Sequence, residues 1–425
     1  MKNLSLLFLL FTVKFLSAQN YGWYPVPGAP FSGRFEDINF INDSVAWIGQ
    51  GDTIYKTTDG GNTWSMVYGG STGAFDYIRS LDFVNDTLGF MGCLYPFGNN
   101  YFNVSKDGGA SWSPVDSLLP GINTGICGIA HKDSMIVAVG SVNSPAYAVI
   151  SKDYGQTWTY HDFSTWCEFL IDCFIIDSLN IIVTGSSTAA TNEHGNILRT
   201  NDGGLTWQQV AVSNYASTYC WKIFMQANGI GLASNESFTA GLYFKTLDTG
   251  YTWQEYNLNG SSVTNIGGIA SIDDTLMFTG DQHFAGMTYS TDGGTTWNDI
   301  NMGYAIDRIY VFSNKTAIAS GVTIYKYHPD SIFSNVPEIY RPKHIFELRS
   351  NDNIHYTLYT DLYQSTKLMA ELFTMDGKYI MQPVNSYYSK GEHLIALPTS
   401  GLASGEYFIR IRTYEYLSGI IFTKN

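Results

Sequence analysis

The chain is poor in charge, in helical periodicity and in long apolar runs. Only 14% of its 425 residues are Asp, Glu, Lys or Arg, and 23 basic side chains face 37 acidic ones. A formal net charge of −14 argues against nucleic acid and anionic membrane surfaces as partners, because both select basic faces. No apolar pattern of period 3.6 persists and no heptad run is present, which removes helical bundles and coiled coils. Beyond the N-terminus, no stretch reaches the roughly 18 apolar residues of a membrane helix, so no transmembrane segment is expected. The five Cys (93, 127, 167, 173 and 220) fit no zinc spacing. An odd count in an exported chain leaves at least one thiol unpaired. A bridge such as Cys167–Cys220 and a set of buried thiols acting as small hydrophobes both stay open. The eight His include no His-Glu-x-x-His, and no Gly loop that cradles phosphate opens a helix. Neither a metal nor a cofactor is expected.

What is abundant is glycine and aromatic surface: 42 Gly, and 15% Phe, Trp and Tyr. That composition suits many short strands and turns, so the fold class is all-β, with length for two or three domains. One stretch recurs. Lys56-Thr57-Thr58-Asp59-Gly60-Gly61-Asn62-Thr63-Trp64 returns with Asp107 and Trp112, and again with Asp153 and Trp158. Further copies carry Asp202 and Trp207, Asp248 and Trp253, and Asp292 and Trp297, each Asp five residues before its Trp. Successive Asp residues lie about 44–49 apart, the repeat length of a four-stranded propeller blade. Chemically the motif is a hairpin turn. Gly supplies positive φ, Asp accepts backbone N–H bonds of its own turn, and Trp buries apolar area beside the next strand.

The pattern S/T-x-D-x-G-x-T/S-W resembles the Asp-box, or BNR, repeat of sialidase-like β-propellers. The resemblance implies that the boxes join the two outer strands of each blade, on the face away from the ligand site. After the box, Trp64-Ser65-Met66-Val67 reads as an outer strand, and Trp23-Tyr24-Pro25-Val26 matches it without a blade of its own. Arg308 to Phe312, Thr316 to Gly321 and Val322 to Tyr327 supply three strands with no box. The N-terminal strand is expected to close this last blade, giving seven blades of which six carry a box. Hairpins such as Phe40 to Gly49 and Phe83 to Gly92 turn at Asp-Ser/Thr pairs (Asp43-Ser44, Asp86-Thr87, Asp133-Ser134, Asp177-Ser178, Asp274-Thr275). Turn chemistry accounts for these pairs. They also resemble a bacterial O-glycosylation sequon.

Residues 1–18 read as a secretory signal: Lys2, an apolar centre from Leu6 to Phe11, and small residues before Gln19. The propeller then spans 19–328, and a Pro-containing linker 329–342. In 343–425 the residues Leu372-Phe373-Thr374-Met375-Asp376-Gly377-Lys378, Lys390-Gly391-Glu392-His393-Leu394-Ile395-Ala396-Leu397, Leu402-Ala403-Ser404-Gly405-Glu406-Tyr407-Phe408-Ile409 and Lys424 stand in order. They resemble the type A C-terminal sorting domain of the type IX secretion system. That resemblance implies a small Ig-like β-sandwich, the type IX machinery as partner, and a secreted or outer-membrane-surface location. The usual Pro-Asn-Pro opening is missing near Glu347 to Asn353. The chain is expected to be a monomer.

Sialidase chemistry needs three convergent Arg, introduced by a Phe-Arg-Ile-Pro-type motif that this sequence lacks. Four Arg lie in the repeat region, and Arg199, just before a box, should point outward. Arg79 and Arg308 each stand four residues before an inner-strand Phe, and Arg34 stands near that level. With Trp166, Glu168, Asp172, Trp221 and Lys222 they are candidate ligand-binding residues at one channel mouth. Arg forks bind carboxylates and Trp faces stack on sugars; the alternative is that these ions pair with one another around trapped water. Glu168 and Asp172 should share a strand face, about 13 Å apart at Cα. Glu36, Asp76 and Asp307 are further carboxyls for a glycosidase, whose two groups stand about 5–9.5 Å apart. Gly69-Gly70-Ser71-Thr72-Gly73 matches the nucleophile elbow only literally, with no helix after it. The reading is a non-catalytic, exported binding propeller for an extracellular glycan or surface protein. A glycoside hydrolase and a protein-binding assembly scaffold are the alternatives.

Overall fold

A computed structural model describes residues 22–31, 34–69, 77–94, 100–115, 125–140, 145–188, 193–329, 345–362, 366–375, 378–413 and 417–425. The signal-like segment 1–18, most of the linker, Asp76, Gly70 to Gly73 and the turn Asp376-Gly377 lie outside them. Among the described residues every regular element is a strand.

From Trp23 to Tyr327 the strands form seven four-stranded antiparallel sheets. Sheets one to six are each contiguous in sequence; their inner strands are Asp37–Phe40, Ile78–Phe83, Ile126–Lys132, Cys167–Ile175, Tyr219–Met225 and Ile266–Ser271. Sheet seven holds Arg308–Val311, Ala317–Ser320, Ile324–Tyr327 and, outermost, Trp23–Pro25, which pairs through Trp23↔Tyr327 and Pro25↔Tyr325. First strands pack side by side in sequence order, and Arg308–Val311 returns to Asp37–Phe40. This ring of small sheets is that of a β-propeller. Alternation at period 2 buries apolar rows between neighbouring sheets, as with Met135, Val137 and Val139 against Leu170, Cys173 and Val183.

All six boxes join the third strand of a sheet to the fourth, and their hydrogen bonds repeat. In the first, Thr63 N and Asn62 N donate to Asp59 Oδ1 at 2.9 Å, and Thr63 Oγ1 donates to Asp59 Oδ2 at 2.6 Å. Trp64 Nε1 donates to Gly61 O at 3.2 Å. Thr57 has a part that the motif did not announce: its Oγ1 bonds Asp59 Oδ1 and accepts from Gly61 N. The boxes also fasten each sheet to the one before. Trp47 Nε1 of sheet one donates to Gly108 O of the second box at 2.9 Å, and Lys245 Nζ of sheet five to Gly293 O of the sixth at 2.8 Å. A Cβ on Gly61 would lie 2.5 Å from Ile318 of sheet seven, so the box tip needs Gly for contact as well as for its φ of 80°.

At the inner hairpins the turn acceptor is one residue earlier than the Asp-Ser/Thr pairs imply. Asn42 Oδ1 accepts from Ser44 N and Val45 N, Asn85 Oδ1 from Thr87 N and Leu88 N, and Asp273 Oδ1 from Thr275 N and Leu276 N. Asp43, Asp86 and Asp274 are the next residues along. Only Asp177 fills the turn role itself.

After the linker a three-stranded sheet (Ile345–Arg349, Thr357–Leu362, Gly391–Ala396) and a four-stranded one (Tyr379–Tyr388, Thr366–Thr374, Gly405–Arg412, Leu417–Lys424) form. They share a core in which Leu358 meets Leu368, Ala370, Ile409 and Ile411. Ile345–Arg349, Thr357–Leu362 and Leu417–Lys424 were not foreseen from pattern.

The five cysteines are all buried, and Cys167, Cys173 and Cys220 are free thiols, so no bridge joins Cys167 to Cys220. Burial pushes all three well above the ordinary thiol range.

Candidate functional site: an ion-paired channel mouth

The inner strands of sheets two to six all break register near their starts. Arg79 is unpaired between Ile78↔Cys93 and Ser80↔Gly92. The same happens at Cys127, at Glu168 and Ile171, at Trp221 and Lys222, and at Gly267 and Gly268. A bulge interrupts the strict alternation of faces, so consecutive residues can reach the same side. Trp221 and Lys222 show the effect. Trp221 Nε1 donates to Asp307 at 3.2 Å, its ring lies 4.9 Å from the Arg79 guanidinium, and Lys222 is buried beside them.

The side chains form tiers along the ring axis. Arg34 Nε meets Glu36 at 2.7 Å and Asp307 at 3.5 Å; Arg79 meets the same two carboxyls at 2.8 and 3.8 Å. The Tyr77 hydroxyl donates to Glu36. Next, Arg308 bridges Asp37 (2.5 Å) and Asp172 (2.9 Å), whose other oxygens accept from Leu81 N and Ile223 N of neighbouring sheets. Then Asp82 takes Asn39 Nδ2 at 2.6 Å and His131 Nδ1 at 2.7 Å.

Burial opposes charge throughout this cluster, and the partners decide each outcome. Burial would raise Glu36, but Arg34 and Arg79 outweigh it and hold it far below the carboxylate range. Asp307 goes the other way: burial and the Glu36 charge raise it to about 7, against the pull of Arg34 and Arg79. The two carboxyls face the same pair of guanidiniums and so shift in opposite directions, Glu36 down and Asp307 up. Asp172 is lowered, because Arg308 and Lys222 beside it overcome burial. Lys222 is lowered by burial and by its cationic neighbours, and its Nζ has no hydrogen-bond partner among the described residues.

Of the candidates, Arg34, Arg79, Asp172, Trp221, Lys222 and Arg308 come together. Trp166 and Glu168 do not. Trp166 is exposed in the turn before its strand. Glu168 is the unpaired residue of the first bulge and Ile171 that of the second, so regular alternation no longer relates Glu168 to Asp172. Arg79 and Arg308, equally far from their Phe, bind different carboxylates, because Arg79 is bulged while Arg308 pairs regularly with Ser320. Arg199 leaves the axis, as its position before a box required, yet is only 5% exposed, stacked 3.5 Å from Tyr251 and bonded to Asn180. Asp37, Tyr77, Asp82 and His131 escaped sequence reasoning; the alternation Glu36-Asp37-Ile38-Asn39 was the available signal.

No protein-family model matches the chain, and no curated protein matches it. Among solved structures it is similar to YCF48 bound to a D1 peptide, with 18% identity and a TM-score of 0.51 over 72% of this chain and 96% of that one. It is similar to a streptogramin B lyase at 14% identity and TM-score 0.56, covering 72% and 97%. The GH74 xyloglucanase of Xanthomonas campestris matches at 9% identity and TM-score 0.53, covering 94% of this chain and 75% of the enzyme. These neighbours are β-propellers. At such identities they carry the fold and no activity. No described helix is long and apolar enough to cross a membrane.

Proposed function

We propose that the chain is a secreted or cell-surface binding propeller of seven blades, without catalysis, that holds an extracellular glycan or protein at the channel mouth. The observation that carries this reading is that the mouth's carboxyls are committed to Arg. Glu36, Asp37, Asp172 and Asp307 are each at most 4% exposed; Glu36 and Asp307 meet Arg34 and Arg79, and Asp37 and Asp172 meet Arg308. A glycosidase holds its two carboxyls about 5–5.5 or 6.5–9.5 Å apart, with sugar or water between them. Buried carboxyls committed to guanidiniums are not free to flank a sugar or a water. What the mouth offers outward is the half-buried Trp221 and the edges of Arg34 and Arg308, a surface for stacking and hydrogen bonding. The peptide held by one YCF48 structure supports a protein ligand as readily as a glycan.

Seven four-stranded sheets, with Trp23–Pro25 closing the last, support the blade count. The two sheets around one core in 345–425 support an Ig-like sandwich, which we assign to type IX export after the signal at 1–18. Deleting residues 343–425 should then keep the protein out of the medium.

The test of binding is retention of the full mature chain on a panel of polysaccharides and on solubilised surface proteins, with released reducing sugar measured in parallel. Retention without release, weakened about tenfold or more by Trp221→Ala, is the expected result. Sugar release abolished by Glu36→Gln would replace this reading with a hydrolase.

A further inference from the structure

A second feature lies on the box side of the ring, between sheets two and three. Val84, Asn85, Leu88, His131, Asp133 and Tyr154 line a pocket of ≈ 520 Å³, within the range of small-ligand sites.

Tyr154 is the unexpected member. It occupies the box position filled by Gly60, Gly108, Gly203 and Gly293 and, in the fifth box, by Thr249, and its φ of 60° is left-handed like theirs. The backbone task at this position needs no side chain. Tyr154 N donates to Ser134 O at 2.9 Å, as Gly60 N does to Ser44 O (2.8 Å) and Gly108 N to Thr87 O (2.9 Å). A bulky residue with positive φ is strained, and here the ring stays 48% exposed. The strained position thus leaves a half-exposed aromatic face lining the pocket.

His131 supplies the second half. Its Nδ1 is held by Asp82 at 2.7 Å, the residue lines the pocket, and Nε2 makes no hydrogen bond among the described residues. Burial works against a charged imidazole, but Asp82 outweighs it and raises the group. Asn85 uses its Oδ1 on Thr87 N and Leu88 N, so its amide hydrogens are available to donate. Asp133 is exposed and brings two acceptor oxygens. A carboxylate beside an imidazole inclined to protonate does not select for net charge of either sign. An aromatic face, two donors and a carboxylate acceptor match a ring with hydroxyls around it and C–H groups on its face.

We propose that this pocket is a binding site for one neutral pyranose unit, with Tyr154 as platform, His131 Nε2 and Asn85 as donors, and Asp133 as acceptor. The site touches the ion-paired cluster only through the Asp82–His131 contact, and sugar binding here stands or falls without a ligand at Trp221.

The test uses the full chain labelled at its histidine rings, with the His131 signal assigned through His131→Gln. It is titrated with the methyl α- and β-pyranosides of glucose, galactose and mannose. The expected result is a saturable shift of His131 with at least one of them, on the order of millimolar affinity for so small a ligand. Tyr154→Gly should weaken that binding about tenfold or more while leaving the unfolding midpoint equal or higher, since the strain is relieved. No saturable shift with any of the six pyranosides would overturn the proposal. Undiminished binding by Tyr154→Gly would do the same.

Discussion

Asp307 is the residue on which the electrostatic account of the mouth can be tested most sharply. Its carboxyl is fully buried and is raised to about 7 by burial and by the Glu36 charge, against the pull of Arg34 and Arg79. In the unfolded chain an ordinary Asp titrates near 3.9. Between about pH 4 and pH 7, the folded protein keeps a proton that the unfolded chain has released. Stability from this group is therefore greatest at the acid end of that window, falls as pH rises through it, and levels off above. The full difference corresponds to roughly 4 kcal/mol as an upper bound, and water in the mouth would reduce it. Asp307→Asn fixes the neutral form, with an amide oxygen that still accepts from Trp221 Nε1. Urea unfolding followed by tryptophan fluorescence is a clean readout, because all ten Trp lie between Trp23 and Trp297, within the seven sheets. Asp281, raised by burial to about 6, and His131 titrate in both proteins and cancel in the difference. Wild-type minus variant stability should fall from pH 5 to pH 7.5 by up to about 2.5 kcal/mol, the part of the full difference that lies in this range. A difference that stays flat across the window refutes the raised Asp307.

Three further outcomes follow from the same geometry. Trp47 is fully buried, stacks 3.8 Å from Phe83 and donates to Gly108 O; Trp47→Ala should cost about 3–5 kcal/mol in urea unfolding, and Trp47→Phe about 1 kcal/mol for the lost hydrogen bond. The box carboxylates Asp59, Asp107, Asp153, Asp202 and Asp292 are held at about 2, chiefly by hydrogen bonds from their own turns; their stabilisation is complete above about pH 4 and is lost as pH falls through 2, so acid titration should release tryptophan fluorescence within that window. Cys167, Cys173 and Cys220 are buried and raised; mass spectrometry should find them unalkylated by iodoacetamide in the native state at pH 8 and fully alkylated in urea.

What the sequence disclosed was what is local. A box closes its hydrogen bonds within eight residues, from Thr57 to Trp64, and its spacing therefore announces the sheet repeat directly. The pairing of Trp23–Pro25 with Ile324–Tyr327 was also legible, because an outer strand without a sheet and a sheet without a fourth strand imply each other. The mouth was legible in membership and not in geometry. Arg34 finds Asp307, and Arg308 finds Asp172, across more than a hundred residues of chain, and no periodicity records such pairings. Counting back from Phe83 and Phe312 gave Arg79 and Arg308 equal rank, but the extra residue in the Ile78–Phe83 strand sends Arg79 to Glu36 instead.

The distribution of the bulges has a consequence for how such a mouth is built. In sheets two to six they sit near the start of the inner strand, while Asp37–Phe40 and Arg308–Val311 pair regularly. Below the bulge each strand returns to period 2, so the apolar rows between sheets are the same whichever way the mouth residues turn. A substitution at a bulged position such as Trp221 therefore changes the mouth while the core beneath it is left in register. A substitution at Asp37 or Asp172 does not have that freedom. Each carboxylate caps a backbone N–H of the next sheet as well as holding Arg308, and its loss leaves a buried cation and a buried donor together. The bulged and half-exposed residues are thus the ones free to change, while the fully buried ions beneath them hold neighbouring sheets together.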